Sequence, residues 1–239
     1  MNLKIINIFT LILSLIIAVI AFWTFKKYSY SLLVENSFKN YVDISNSDIT
    51  TFIGKNIILR AKIKDEQFFI SKKNGDKVVL EYFLVEENKN SRTKKISDLS
   101  YLRYIPFKIN FNNINIIVEP YELDLTYIGN IIEKKEYKKD NKLISEKYWK
   151  FKSNDIIYIF GKLENKAGIL SIVNPNIEKS FFEKIFNLSP FIISNYEINE
   201  IIQKAIYTKN SMLSITSLLS ITSIFFIILS IKKLLDKSV

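Results

Sequence analysis

Carboxylates are the only acid–base side chains this 239-residue chain offers in quantity, because it contains no histidine and no cysteine. Ser-His-Asp and Cys-His nucleophilic machines, disulfides and thiolate zinc sites cannot be built from it. Its five glycines, at 54, 75, 129, 161 and 168, are too scattered to form a phosphate-cradling loop. Two carboxylates suffice for glycoside hydrolysis, and Glu81, Glu86, Glu119 and Glu122 are the acids that could supply them. Glu81 and Glu86 are five apart and fall on opposite sides of a strand, while the other two flank a turn at Pro120. Solvated strand-face charge is therefore the reading preferred for all four. No dense Asp and Asn spacing marks a calcium loop. The sequence thus nominates no catalytic, cofactor-binding or metal-ligating residues, and no cofactor.

Two other groups have spacings with physical meaning. Arg92, Lys94 and Lys95 lie in the polar stretch EENKNSRTKKIS, which reads as a solvated loop or as a contact for anionic lipid headgroups, the loop being preferred. Thr216, Ser220, Ser223 and Ser230 follow spacings of 4, 3 and 7 and so share one helix face. Small hydroxyl residues on such a face let a second helix approach and hydrogen-bond across the gap, or else they bond their own backbone. Asn7, Thr10 and Ser14 offer a matching stripe near the start of the chain.

Both stripes lie in segments built like membrane spans. Residues 5–25 and 211–231 each run 21 residues without a charge, enough to cross about 30 Å of hydrocarbon. The first could be taken for a cleaved signal peptide, but Phe22, Trp23 and Phe25 stand where a polar cleavage region belongs. Trp23, Tyr28, Tyr30 and Tyr207 suit an interfacial aromatic belt. Between the spans lie 30 basic and 23 acidic residues, a net of +7. The expected division is a short tail at 1–4, a span at 5–25, a helical connector at 26–53, a β-rich domain at 54–193, a helical connector at 194–210, a span at 211–231 and a basic tail at 232–239. Five positive charges flank the spans on each side, so charge does not set the orientation.

The middle changes to period two. Ile57, Leu59, Ala61 and Ile63 alternate with Arg60 and Lys62, the mark of a half-buried strand. Hairpins are predicted at Asn74-Gly75, Asn112-Asn113 and Asp140-Asn141, a strand from Tyr127, a buried strand ending at Gly161, and a turn at Ala167-Gly168. Ser47 is placed to cap a short helix ended by Gly54, and Ser194 with Glu197 forms a capping-box pattern opening one long helix into the second span. The fold class is a membrane protein with two transmembrane helices flanking a mostly β (α+β) domain, barrel- or sandwich-like, with about eight short strands.

The ordered set of a first anchor, residues 48–54, Ile105-Pro-Phe107 leading into Val118-Glu-Pro120, the run DIIYIFG at 155–161, PFIIS at 190–194 and a final membrane helix resembles the GIDE domain, also called the beside-a-membrane or BAM domain. The resemblance implies a membrane-tethered binding or scaffolding role, with a protein partner or anionic lipid headgroups and no nucleic acid. Eukaryotic relatives carry a RING finger that recruits ubiquitin or SUMO machinery, so an E3 ubiquitin-ligase-like role enters by resemblance alone. No residue of this sequence can receive it, since the zinc ligands are missing. The resemblance also implies a bacterial-type inner or plasma membrane, an extracytoplasmic domain and cytoplasmic termini. A carboxylate-dependent envelope hydrolase and a membrane-complex assembly factor are the alternatives.

Overall fold

The computed structural model describes residues 3–39, 44, 47–89, 92–121, 123–175 and 191–235. These residues fall into two compact units, a helical one drawn from 3–39 and 201–235 and a β unit drawn from the described residues of 44–175 and 191–200.

The helical unit contains α1 (Leu3–Lys39) and α2 (Ile198–Leu235). At 37 and 38 residues each is about 55 Å long, well beyond the hydrocarbon thickness of a bilayer. Both are apolar enough to cross a membrane, and only 11 % and 6 % of their most apolar windows are buried. A core helix of a water-soluble domain would bury that stretch. Here Phe9, Trp23, Leu218, Ile221 and Phe225 face outward, an arrangement that lipid tolerates and water does not. The two helices therefore support membrane association. Ser194 does not open α2: its hydroxyl accepts the Tyr196 N–H, and the Glu200 carboxylate accepts the Glu197 N–H. The cap is a Glu197/Glu200 pair, three residues later than the sequence pattern suggested. From there no breaker interrupts the helix, so residues 198–210 of the expected connector and the expected span at 211–231 form one helix.

The β unit has thirteen strands among its described residues, five more than expected. Five of them close a barrel: β1 (Asn56–Ile63), β7 (Phe107–Phe111), β8 (Ile114–Val118), β12 (Ile169–Val173) and β11 (Ile156–Lys166), in that spatial order. The ring is completed by antiparallel pairing of β1 with β11, from Asn56 opposite Lys162 to Lys62 opposite Ile156. Numbered along the chain the ring reads one-two-three-five-four, with the third and fifth strands parallel. That is the Greek-key order of an OB-type barrel. Alternation fills its interior: Leu59, Ile63, Phe107, Ile109, Ile116, Ile157, Ile159 and Ile172 are all buried. A further strand, β13 (Ile192–Ser194), lies on β11.

Three hairpin turns follow from two adjacent residues with positive φ, at Asn112-Asn113, Asp140-Asn141 and Ala167-Gly168. Each joins strands whose flanking residues pair directly, the geometry that matches the twist of a two-residue hairpin. Gly161 does not end its strand. A Cβ there would stand 2.5 Å from Ile172 Cγ2 and 2.7 Å from both Phe191 Cε2 and the Val173 carbonyl. Glycine is needed because strands and Phe191 close over that backbone.

A second sheet grows from two insertions into the barrel. The chain leaves after β1 to make β2 (Phe69–Ile70), β3 (Lys77–Val78), β4 (Leu80–Lys89), β5 (Arg92–Lys95) and β6 (Tyr101–Tyr104). It leaves again after β8 to make β9 (Glu133–Lys139) and β10 (Lys142–Phe151). The order is β5-β4-β10-β9 with β6 also on β4, and β2 pairs β3 apart from it. Tyr127, expected to begin a strand, lies in the short 3-10 turn Leu125–Tyr127 with its ring buried. Residues 49–52, expected in a helical connector, form a 3-10 turn whose Ile49 belongs to the barrel core, tied in by the Gly54 N–H to the Leu163 carbonyl.

Candidate functional site

Within the β unit, Glu81 is a buried carboxylate whose setting calls for explanation. It lies on β4 within the run VVLEYFLV at 78–85, apolar on both sides, and its side chain has no exposure at all. The expectation of a solvated strand-face charge fails here. Burying a carboxylate is tolerable only with paired charge and hydrogen bonds, and Glu81 has both. Arg103, its register partner on β6, donates from Nη1 to Glu81 Oε1 at 3.0 Å and to the Ile70 carbonyl at 3.3 Å. Tyr148 on β10 donates its hydroxyl to Glu81 Oε2 at 3.2 Å. Having spent its only proton, Tyr148 accepts from Ser71 Oγ at 2.8 Å, and Ser71 in turn accepts the Lys73 N–H at 3.2 Å. The Lys72 N–H reaches Glu81 Oε1 at 3.4 Å. Burial pushes the Tyr148 hydroxyl up to about 12, opposed by its bond to Ser71 and reinforced by Glu81.

Every arm of this network ends on residues 68–78. Two-residue strands are too short to hold themselves, so the hairpin of β2 and β3 depends on the anchor beneath it. The Asn74-Gly75 tip is wider than a two-residue turn: Ile70 pairs with Lys77, and Ser71 N–H to Asp76 O and Gly75 N–H to Ser71 O close the loop. Asp76 is held by Lys150 at 2.5 Å, which keeps its carboxyl below the usual range. Lys73 pairs with Glu133 at 3.0 Å and sits over the Tyr148 and Phe83 rings. Arg103 covers the ring of Phe69 at 4.4 Å. On the outer side, Phe68 is 40 % exposed with Lys77 Nζ 4.2 Å above its ring, and Ile70 is 54 % exposed.

The remaining carboxylates do not join Glu81. Glu86 pairs with Lys147, Glu119 in the barrel unit pairs with Lys166, and Glu122 lies outside the described residues. Among the described residues no group of three or more acids could hold a metal ion.

Most described residues of the cationic stretch at 86–97, namely 86–89 and 92–95, are strand and not the expected loop. β4 runs on to Lys89 and β5 returns, setting Glu86 opposite Lys95, Glu87 opposite Lys94 and Lys89 opposite Arg92. β5 is an edge strand, and so is β9, with the sequence EKKEYKK. Lysines on exposed edges discourage pairing with another chain, which is a sufficient reason for Lys94 and Lys95 to be there.

In the helical unit, Thr216 donates to Thr24 Oγ1 at 2.8 Å and Ser223 donates to the Ser14 carbonyl at 3.1 Å, so the helices run antiparallel. Ser14 and Ser223 are buried in this seam. Ser230 is buried too but bonds its own Phe226 carbonyl. Both uses of a hydroxyl that the stripe allowed thus occur, on different residues. Ser220 lines an open groove of about 370 Å³ with Ala18, Ala21, Phe22 and Ser223. Nearer the polar ends, Lys209 and Lys39 both meet the buried Glu35, each at 2.6 Å. Sequence spacing alone did not single out that cross-helix ion pair.

No protein-family model, curated protein or solved structure matches this chain.

Proposed function

We propose that the chain is a membrane-tethered binding or scaffolding protein of the GIDE or beside-a-membrane type, whose β domain works next to the bilayer. The observation supporting this is the pair of long, outward-apolar, antiparallel helices that flank the domain in sequence. Antiparallel spans leave both termini on one side and the whole domain on the other. By the resemblance, the termini are cytoplasmic and the domain lies outside a bacterial-type inner membrane. The partner is a protein or an anionic lipid surface. A ligase-like role has no residues to carry it in this sequence, which lacks every Cys and His ligand. The hydrolase alternative loses its carboxylate pair, because Glu81 is spent on Arg103 and Tyr148 while Glu119 faces Lys166.

The test is topological and biochemical. Alkaline carbonate should leave the chain in the membrane pellet, a reporter at Val239 should be active inside the cell, and one inserted at Asp140-Asn141 should be active outside. Recovery in the soluble fraction refutes the tether. Reversed reporters refute the orientation. An envelope-degrading activity abolished by Glu81→Gln in a folded variant would restore the enzyme reading.

A further inference from the structure

We propose that the hairpin at residues 68–78 is a lipid-docking element, with Phe68 and Ile70 entering the headgroup region of an anionic bilayer while Lys72 and Lys77 meet its phosphates. The inference rests on the membrane-tethered reading above and gives one surface of the domain a specific occupant.

Four observations converge. First, the hairpin exposes two large apolar side chains at positions two apart, which therefore share a side. Second, cations lie beside them: Lys77 stands opposite Ile70 and over Phe68, and Lys72 is exposed in the turn that follows β2, with its ammonium over the Tyr101 ring. Among the described residues neither lysine forms an ion pair; each rests only on an aromatic ring, Phe68 for Lys77 and Tyr101 for Lys72. The hairpin's one acid, Asp76, is already committed to Lys150. Third, apolar side chains flanked by uncommitted lysines are the chemistry of an interfacial contact with anionic lipid. Fourth, the candidate spans flank the domain on both sides in the chain, so a bilayer surface is present at high effective concentration.

The buried anchor then has a purpose. Glu81, Tyr148, Ser71 and Arg103 fix the hairpin backbone, so docking orders little that is not already ordered. By contrast, β5, with its sequence RTKK, offers Lys94 and Lys95 but no apolar side chain to insert, and its lysines stand opposite Glu86 and Glu87.

The absence of cysteine makes the test direct. The full chain carrying Ile70→Cys is labelled with an environment-sensitive fluorophore and placed in phosphatidylcholine nanodiscs, with or without phosphatidylglycerol. A second preparation carries Asp140→Cys at the β9–β10 turn. With anionic lipid, the label at position 70 should shift to the blue and become shielded from acrylamide, while the label at 140 stays open. Adding Lys72→Gln and Lys77→Gln should lower the docked-to-undocked ratio about 25-fold, at about fivefold per lysine. Hydrogen exchange at the Ile70 and Lys77 amides of the unlabelled chain gives a label-free check. Equal quenching at 70 and 140 in both lipids overturns the inference. So does shielding that ignores phosphatidylglycerol and the lysines, which would mean that protein covers the hairpin. A chain that enters the disc but keeps position 70 open sinks only this inference, whereas failure to enter the disc sinks the tether with it.

Discussion

Removing Arg103 should cost more than altering Glu81, and the asymmetry can be worked out from their exposures. The Glu81 carboxylate is wholly buried, while the Arg103 side chain keeps 33 % exposure. Arg103→Ala leaves a buried negative charge with only the Tyr148 hydroxyl and a long contact from the Lys72 N–H. Breaking a buried pair from that side costs about 3–5 kcal/mol, and partial solvation of the arginine argues for about 3. Glu81→Gln keeps an acceptor for Tyr148, and the freed guanidinium can turn to water, so about 1–2 kcal/mol is expected. In the Arg103→Ala background, Glu81→Gln removes the stranded charge and should therefore restore stability, a reversal that simple loss of contacts would not produce. The readout is thermal unfolding of the full chain in mild detergent, followed by Trp149, which stacks on Tyr82 with ring centroids 5.1 Å apart. The chain's other tryptophan, Trp23, is replaced by Phe. A loss of about 3 kcal/mol should lower Tm by roughly 6–12 °C. A double variant no more stable than Arg103→Ala alone would refute the reasoning.

Other perturbations test other parts of the structure. Gly161→Ala forces a methyl into the space held by Ile172, Phe191 and the Val173 carbonyl, so a loss of about 2 kcal/mol is expected by the same melt; a neutral result would mean that the barrel seam is looser than described. Paired Ser14→Cys and Ser223→Cys should crosslink in native membranes, whereas Val19→Cys with Ser223→Cys, using the outward-facing Val19, should not; equal yields would count against the antiparallel seam. Tyr148 has its hydroxyl raised from 10 to about 12 in the folded state. The folded form then holds a proton that the unfolded chain has released, so this contribution is complete below pH 10 and is lost as pH rises toward 12. Tyr148→Phe should flatten the alkaline decline in Tm over that window, and an unchanged decline would assign it to other tyrosines.

Much of the local architecture was legible in the residues. Asn-Asn, Asp-Asn and Ala-Gly marked the three left-handed turns, and the 21-residue apolar runs marked the helices, because both signals depend on neighbours in sequence. Barrel closure was not legible, since β1 meets β11 a hundred residues later and β8 meets β12 in parallel. Glu81 was misjudged for the same reason: its partners lie 22 and 67 residues away. One signal was present, however. An acid inside VVLEYFLV has apolar neighbours on both faces, so it had no solvated face to occupy and had to be paired. The stretch at 86–97 concealed a hairpin because its code is cross-strand charge, Glu-Glu against Lys-Lys, which a search for apolar alternation passes over.

The second sheet follows from how the barrel is interrupted. Neither insertion suffices alone: β9 and β10 form a bare hairpin, and β4 to β6 lack a covered edge. They become one sheet through nine consecutive residue pairs between β4 and β10, from Leu80 opposite Phe151 to Asn88 opposite Leu143. The same register brings Tyr148 and Lys150 beside Phe83 and Glu81, so the buried anchor comes into being only when the two insertions meet. At the barrel end, Trp149 Nε1 donates to the Gly129 carbonyl at 3.1 Å, and Asn195 Oδ1 accepts the adjoining Asn130 N–H at 2.9 Å. Gly129 has a φ of +122°, and a Cβ there would fall 1.7 Å from Asn195 Oδ1. Only glycine lets that loop join the inserted sheet to the strand-end leading into α2. The hairpin at 68–78 is thus positioned by the β4–β10 register beneath it, and a substitution that shifts that register should release the hairpin even with every anchoring side chain intact.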